Sequence, residues 1–198
     1  NIILFFLCLS FKVFSQTYLG NGVTDWGLIG DSSTTTKTTF VIDNSNNKWI
    51  GTLNAGLLKF DNSVWTKFDT SNSELPSNKI NCLYSYNNFL YVGTNAGIAV
   101  YNGTWITYNT SNSGLLNNNI KAIYYHNNYV WIATSSGLTK FDGVNWTTFT
   151  SSDYSLLSSN IRTITNTPDG KICLASNMGI IYYNDTIWSA DTTIKNII

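Results

Sequence analysis

The chain alternates short apolar runs with polar turns, and this unit recurs along most of its length. In one copy, four apolar-rich runs are separated by turns that contain Asn and Gly. These runs are Ile80 to Tyr86, Leu90 to Thr94, Ile98 to Tyr101 and Trp105 to Tyr108. The Asn102-Gly103 pair favours a two-residue hairpin, because both central positions of that turn adopt a positive φ. Each unit is therefore predicted to form four short antiparallel strands.

The period of the repeat is about 41 residues, and three separate columns of residues share it. Within each column, successive members are 40 to 42 residues apart. The columns are Trp65, Trp105, Trp146 and Trp188; Gly56, Gly97, Gly137 and Gly179; and Trp49, Tyr91, Trp131 and Cys173. Self-similarity at a fixed period of this length is the sequence signature of a repeat architecture.

Four short strands in about 40 residues are typical of one propeller blade. We predict an all-β chain: a β-propeller of four-stranded antiparallel blades in a domain covering 16–198. About four blades are present, at approximately 38–68, 79–108, 120–149 and 161–189. One such sheet cannot bury both faces alone, so the blades must stack around an axis. We expect the Trp columns to fill the space between blades, and small residues to let the sheets approach. The small residues are Gly51, Gly93, Ala133 and Ala175.

Partial strands are predicted at both ends of the repeats. Val23 to Trp26 resembles a lone fourth strand, and Ile194 to Ile197 a lone first strand. We expect the chain to be a fragment of a larger propeller with at least five blades, in which the Trp26 strand closes the ring against the last blade. The alternative is a compact four-bladed ring with frayed ends.

Residues 1–15 have the pattern of a secretory signal peptide. An apolar run is followed by Val13-Phe14-Ser15, a small-residue cleavage pattern. The run is too short to span a bilayer as a helix, which needs about 20 apolar residues, so no membrane span is predicted. The alternative is a buried first strand. We expect a periplasmic, secreted or cell-surface location.

Composition narrows the possible functions. Aromatic residues make up 15% of the chain and charged residues only 11%, and the formal net charge is zero. Without a basic run, nucleic acid is a poor candidate partner. The chain has one His, His126, and no Gly-rich phosphate loop. We expect no catalytic residue, metal or cofactor. Cys82 and Cys173 fall two blades apart, so both are expected to be buried free thiols.

Several stretches resemble the two-component regulator propeller repeat. They are Lys48 to Asp61, Val130 to Gly143, and Thr70 to Ile80 with its copy at Thr110 to Ile120. The resemblance lies in the Trp-Ile-Gly-Thr, Gly-Leu and Phe-Asp-Gly elements and covers about 38–189. Such repeats build the periplasmic sensor regions of hybrid histidine kinases, many of which respond to carbohydrate breakdown products, and they also occur in secreted proteins. The resemblance implies a sensor-like β-propeller.

A candidate binding site lies where the first strands begin, because the first strand of each blade is expected to be innermost. The opening positions are predicted to be Thr39, Asn81, Lys121 and Arg162 in successive blades. Lys121 and Arg162 are cations on adjacent blades, and our hypothesis is that they hold a polar or anionic group. The alternative is a solvated channel mouth. The column Thr52, Thr94, Thr134 and Ser176 is expected to cap turns.

Three functions are compatible with these features. The first is a binding or sensing module for a small molecule or oligosaccharide, which includes the input region of a two-component sensor. The second is a non-catalytic surface scaffold that binds a protein partner. The third is a polysaccharide lyase or hydrolase on a propeller scaffold, which the absence of a Glu pair disfavours. Propellers host many activities, so the fold alone does not decide among them.

Overall fold

The computed structural model describes residues 36–152, 160–177 and 179–191, together with two strands nearer the N-terminus. Those two strands are β1 (Phe14–Leu19) and β2 (Val23–Leu28). Blade 1 contains β3 (Lys37–Ile42), β4 (Lys48–Thr52), β5 (Leu57–Phe60) and β6 (Trp65–Phe68). Blade 2 contains β7 (Ile80–Tyr86), β8 (Phe89–Thr94), β9 (Ile98–Tyr101) and β10 (Trp105–Tyr108). Blade 3 contains β11 (Ile120–His126), β12 (Tyr129–Thr134), β13 (Gly137–Phe141) and β14 (Trp146–Phe149). Blade 4 contains β15 (Ile161–Asn166), β16 (Ile172–Ser176), β17 (Gly179–Tyr183) and β18 (Trp188–Asp191).

Each blade is a four-stranded antiparallel meander in which consecutive strands are neighbours. Tight turns join the strands, and Asn residues at several of them adopt the positive φ that the hairpins require, such as Asn87 at 46° and Asn88 at 65°. Four such sheets confirm the predicted fold class, a β-propeller of four-stranded antiparallel blades.

The first strand of each blade is the innermost strand. The first strands of neighbouring blades lie against one another, β3 against β7, β7 against β11, and β11 against β15. The first strand of each later blade also contacts the second strand of the blade before it. Blades 1 to 4 are therefore stacked in sequence order around an axis lined by β3, β7, β11 and β15.

Aromatic side chains fill the space between blades. Trp49 and Phe68 of blade 1 pack against Tyr101 and Trp105 of blade 2, with ring centroids 5.5 to 6.0 Å apart. The same arrangement recurs between blades 3 and 4, where the rings are Trp131, Phe149, Tyr183 and Trp188. Edge-to-face contacts of this kind stabilise a core beyond the area they bury. The expectation that the Trp columns fill the space between blades holds for both interfaces.

Small residues bring neighbouring sheets into close contact at two positions. A Cβ added at Gly51 would lie 2.6 Å from a methyl carbon of Ile80, which belongs to the next blade. A Cβ at Gly93 would lie 2.7 Å from a methyl carbon of Ile120. The isoleucine at the start of each next blade thus packs directly on the glycine, as the small-residue column predicted.

The strand Val23–Leu28 has a neighbour that the sequence did not indicate. It pairs with Phe14–Leu19 in a two-stranded antiparallel hairpin, with Trp26 opposite Gln16. This hairpin uses one edge of the strand, and the residues after Asp191 lie outside the described part of the chain, so the pairing of the Trp26 strand with the last blade stays a prediction. The segment Ile194 to Ile197 and residues 1–13 lie outside the described residues, so the strand and signal peptide predicted there stay predictions.

Trp131 tests the role of the packing between blades, because only 1% of its surface is exposed. We expect Trp131→Ala to lower the free energy of unfolding by about 3–5 kcal/mol, since it removes a large buried ring from two blades at once. Urea unfolding followed by circular dichroism measures this change. Ile187→Ala, at a 64% exposed position, is the control and should change stability by less than about 0.5 kcal/mol. Equal effects of the two substitutions would contradict this account.

Candidate ligand-binding face

One face of the propeller carries the starts of the first strands, the turns after the second strands and the long crossings between blades. We call it the crossing face. The strand registers define it, because Ile80 pairs with Thr94 and Ile98 pairs with Tyr108. The start of a first strand and the end of a fourth strand therefore lie at the same edge of the sheet. This is the arrangement that the sequence predicted.

Every first strand has a β-bulge at the same position on the crossing face. The pairing with the second strand skips one residue in each blade. The skipped residues are Thr38, Asn81, Lys121 and Arg162. A bulge inserts an unpaired residue and re-aims its side chain. The four residues thus form one structural column, which we call the bulge column.

Thr39 does not belong to the bulge column, and its assignment from the sequence is wrong by one residue. Thr39 pairs with Gly51, as Cys82 pairs with Gly93. The equivalent of Asn81 in blade 1 is Thr38. A one-residue shift moves a strand residue to the other face of the sheet. The Thr39 side chain therefore lies beside Gly51, in the space between blades 1 and 2. Counting from the Gly51 and Gly93 column would have given the correct register.

Two residues of the bulge column connect neighbouring blades. The Thr38 hydroxyl donates a hydrogen bond to the carbonyl oxygen of Ile80 at 2.6 Å. The Asn81 amide donates to the carbonyl oxygen of Ile120 at 2.8 Å and to the side chain of Asn119 at 3.1 Å. The bonds to Ile80 and Ile120 each satisfy a carbonyl at the first position of the next blade. Thr38 and Asn81 therefore act in assembly of the propeller.

Lys121 and Arg162 are the other two members of the bulge column, and both are exposed. Among the described residues, neither side chain has a hydrogen-bond or ion-pair partner. They occupy adjacent blades, whose first strands are in contact. Two cationic groups thus lie close to the propeller axis with their donors available, as the binding hypothesis requires.

Most other polar side chains of the crossing face already bind the backbone. Thr52 and Thr94 are fully buried, and their hydroxyls donate to Gly56 and Gly97 at 2.7 Å. Thr134 and Ser176 make the equivalent bonds in blades 3 and 4. The predicted turn-capping role is therefore confirmed.

The crossings between blades use their polar side chains in the same way. The side-chain oxygen of Asn72 accepts from Asp69 N, and that of Asn112 accepts from Asn109 N. Lys121 and Arg162 make no such bonds and lie in the bulge column, whereas the exposed Lys79 of the same face lies outside that column.

The aspartates of the hairpin turns lie at the opposite edge of the blades. The Asp61 carboxylate accepts hydrogen bonds from the backbone N–H groups of Val64 and Ser63. These donors lower the pKa of Asp61 to about 2. Asp142 accepts equivalent bonds from Val144 and Asn145, which lower its pKa. Both carboxylates are ionised at neutral pH and stabilise turns.

His126 also lies on the opposite face, and it connects two blades. Its Nε2 is 2.8 Å from the carbonyl oxygen of Gly170 in blade 4. Nearby, the Tyr124 hydroxyl donates to the side chain of Asn166. In the part of the chain that the structure describes, no group of three or more His, Cys, Asp or Glu residues is arranged to hold a metal ion. The same residues include no helix long and apolar enough to cross a membrane.

Cys82 and Cys173 are both free thiols, as expected from their positions in blades 2 and 4. Each residue is half-buried rather than fully buried. The Cys82 sulfur lies over Gly93, between blades 2 and 3. This burial raises the pKa of Cys82 to about 12, and burial also raises the pKa of Cys173.

Solved structures share this fold. No family model and no curated protein match the sequence. The extracellular domain of the putative hybrid two component system BT3049 from B. thetaiotaomicron is 24% identical, with a TM-score of 0.72 over 88% of this chain and 25% of that chain. The extracellular domain of the putative one component system BT4673 from B. thetaiotaomicron is 21% identical, with a TM-score of 0.68 over 90% of this chain and 23% of that chain. A catalytically inactive virginiamycin B lyase from Staphylococcus aureus, solved with quinupristin, is 12% identical, with a TM-score of 0.64 over 91% of this chain and 60% of that chain.

These similarities place the chain among the β-propellers. The structures that it resembles include extracellular domains of sensor systems, which agrees with the resemblance to the two-component regulator propeller repeat. The chain spans about a quarter of the length of those sensor domains. One fold thus serves proteins described as sensors and a protein described as a lyase, so the function of this chain must be argued from its own residues.

The bulge column leads to a prediction in which two equivalent residues behave differently. We expect Asn81→Ala to destabilise the protein by about 1–2 kcal/mol, because it leaves the Ile120 carbonyl without its side-chain donor. Lys121→Ala at the equivalent position should change stability by less than about 0.5 kcal/mol. Urea unfolding of both variants measures the difference. A destabilising Lys121→Ala would show that this lysine also has a role in assembly.

Cys82 should be almost inert in the folded protein. With a pKa of about 12, the thiol carries little of the reactive thiolate at pH 8. Iodoacetamide labelling followed by peptide mass spectrometry should modify Cys82 at least about tenfold more slowly in the native protein than in urea. Equal rates in the two states would mean that the sulfur is exposed and that blades 2 and 3 are not packed as described.

Proposed function

We propose that this chain is an extracytoplasmic, non-catalytic β-propeller module that binds a ligand on its crossing face. The ligand is a carbohydrate-derived compound with a carboxylate or another anionic group. The location is supported by the signal-like pattern of residues 1–15 and by the similar structures, which are described as extracellular domains. In this proposal the module is the input region of a two-component sensor, which agrees with the first of those structures being the extracellular domain of a putative hybrid two component system.

The observation that carries the proposal is the division of the bulge column into two halves. Thr38 and Asn81 use their side chains to hold the next blade. Lys121 occupies the same position in blade 3, and the blade after it is described, yet its side chain is exposed and has no partner among the described residues. Arg162 is the exposed cation at this position in blade 4, which is the last described blade. Only 11 of the 198 residues are Lys or Arg, so two adjacent cations near the axis are a local concentration of positive charge.

The chemistry of the two cations favours an anionic group on the ligand. An Arg guanidinium binds a carboxylate through two parallel hydrogen bonds, and a Lys ammonium adds a point charge beside it. Near Lys121, the Thr134 hydroxyl donates to Gly137 O and the Asn119 side chain accepts from Asn81, so these polar groups give the site a rigid base. Such a base reduces the ordering that ligand binding requires.

The test is a glycan array that carries neutral oligosaccharides and oligosaccharides with uronic acids. We expect the protein to bind uronic-acid oligosaccharides selectively. The double variant Lys121→Ala/Arg162→Ala should weaken binding of the best array ligand at least about tenfold, the loss expected for charge-assisted hydrogen bonds. Titration calorimetry measures the affinity.

The control removes two cations from the opposite face. Lys48→Ala/Lys171→Ala changes the net charge by the same amount, and these lysines lie at first-to-second strand turns. This control should bind with unchanged affinity. Equal losses in both double variants would indicate a general charge effect and contradict the proposed site. A protein that binds no glycan would instead support the alternative role as a protein-interaction scaffold.

A further inference from the structure

A second candidate site lies between blades 2 and 3, away from the crossing face. It is a cleft of about 320 Å³ whose walls are mainly aromatic and aliphatic. Blade 2 contributes Phe89, Tyr91, Val100 and Tyr108, and blade 3 contributes Asp142 and Trp146. We call it the 2–3 cleft. Its volume is at the lower end of the range for small-molecule sites.

The equivalent space between blades 3 and 4 shows what normally occupies such a cleft. There the Lys140 ammonium lies 4.4 Å from the ring centre of Tyr129, 5.7 Å from Trp131 and 5.9 Å from Phe149. Between blades 1 and 2, the Lys59 ammonium lies 5.3 Å from the ring centre of Trp49. In both spaces a cation from the chain itself contacts aromatic rings, an arrangement stabilised by the negative faces of those rings.

The 2–3 cleft keeps the aromatic rings and lacks the lysine. Lys59 pairs with Trp49 and Lys140 with Trp131, whereas the corresponding pair in blade 2 is Val100 and Tyr91. By the same registers, Phe89 corresponds to Tyr129 and Tyr108 to Phe149. The three rings of the cage are therefore present in blade 2 without the cation that occupies the cage in blade 3.

The charge at the rim changes together with the missing lysine. Asp142 lines the 2–3 cleft, and its carboxylate is ionised because backbone donors lower its pKa. In the space between blades 1 and 2, which Lys59 occupies, the equivalent residue is the neutral Asn102 of blade 2. The equivalent residue in blade 4 is the neutral Asn184. The cleft without its own cation is thus the one with a carboxylate at this position. The space between blades 1 and 2 has its carboxylate elsewhere, at Asp43, which accepts a hydrogen bond from Trp49 Nε1 at 2.8 Å.

The walls of the 2–3 cleft are also more apolar than those of its equivalents. Ile106 is 47% exposed and lines the cleft, whereas the corresponding residues of blades 1 and 3 are Thr66 and Thr147. Val144, next to Asp142 in sequence, is 81% exposed. An occupant that suits these surfaces combines a positive charge with apolar groups around it.

We propose that the 2–3 cleft binds a small alkylated ammonium compound, whose cation takes the place that Lys140 takes between blades 3 and 4. Phe89, Tyr91 and Tyr108 contact the cationic head, Val100 and Ile106 contact its alkyl groups, and Asp142 provides the opposite charge at the rim. Aromatic cages of this kind recognise quaternary ammonium groups in water because such cations shed their weak hydration easily.

Choline is the probe for this proposal, and 3,3-dimethylbutan-1-ol is its neutral isostere. Titration calorimetry of the purified protein should show saturable binding of choline at one site. The neutral isostere has the same shape and should bind at least tenfold more weakly. Equal affinities would overturn the proposal, because they would show that shape and not charge decides binding. Failure of choline to bind at all would overturn it as well.

Two substitutions exchange the features of neighbouring blades. Val100→Lys introduces the lysine that blades 1 and 3 have, and it should weaken choline binding at least tenfold by filling the cage with the chain's own ammonium. Val100→Leu is the matched neutral control and should keep the affinity within about threefold, since it adds one methylene to a site with free volume. Unchanged choline binding in Val100→Lys, or equal losses in the two variants, would overturn the proposal.

The reverse substitution tests the same idea without altering the 2–3 cleft. The double variant Lys140→Val/Asn184→Asp removes the cation from the cage of Tyr129, Trp131 and Phe149 and supplies a rim carboxylate, so a second choline should bind and the stoichiometry should rise from one to two. A stoichiometry that remains at one would count against the assignment of the cage.

The 2–3 cleft is independent of the site in the proposed function. The double variant Lys121→Ala/Arg162→Ala should therefore leave choline binding unchanged. Loss of choline binding in that double variant would place choline on the crossing face and overturn the assignment.

Discussion

The whole structure depends on packing between neighbouring blades. A four-stranded sheet of this size has two apolar faces, and it can bury them only against other sheets. The contacts that do this are specific: Ile80 packs on Gly51, and Trp49 and Phe68 meet the rings of the next blade. Because these contacts repeat with the sequence, each blade fixes the orientation of its neighbour, and side chains at equivalent positions appear at equivalent places around the axis.

Because the blades are equivalent, a residue in one blade can be compared directly with the residues at the same position in the other blades. Where a position serves assembly, its role recurs: Thr38 and Asn81 both hold the carbonyl of the next blade. Where a position has no such role, the side chain is free to change. Lys121 and Arg162 differ from Thr38 and Asn81 without loss of the bulge itself. Function is therefore best sought in the positions at which one blade departs from the others.

The sequence predicts the strands well because their signals are local. Asn-Gly turns require positive φ, and the alternating apolar residues between them leave few other registers. The bulge is harder to predict, since it adds one residue that the hydrophobic pattern of β3 does not reveal, and Thr39 was therefore assigned instead of Thr38. The hairpin between Val23–Leu28 and Phe14–Leu19 is not predicted for a different reason: several strands could pair with this segment, and the sequence of one strand does not say which of them does so.

The candidate sites illustrate the same difference between local and long-range information. Lys121 and Arg162 could be singled out from the sequence, because the repeat places them in one column and cations are rare in this chain. The 2–3 cleft could not, although the exchange of Trp for Tyr91 is visible in the repeat columns. Its character depends on residues from four strands of two blades, and only the registers show that Val100 stands where Lys59 and Lys140 stand. Tyr91 in place of Trp is a conservative change within its column. Its cross-strand partner is Val100 instead of a lysine, however, and this second change alters the charge of the site.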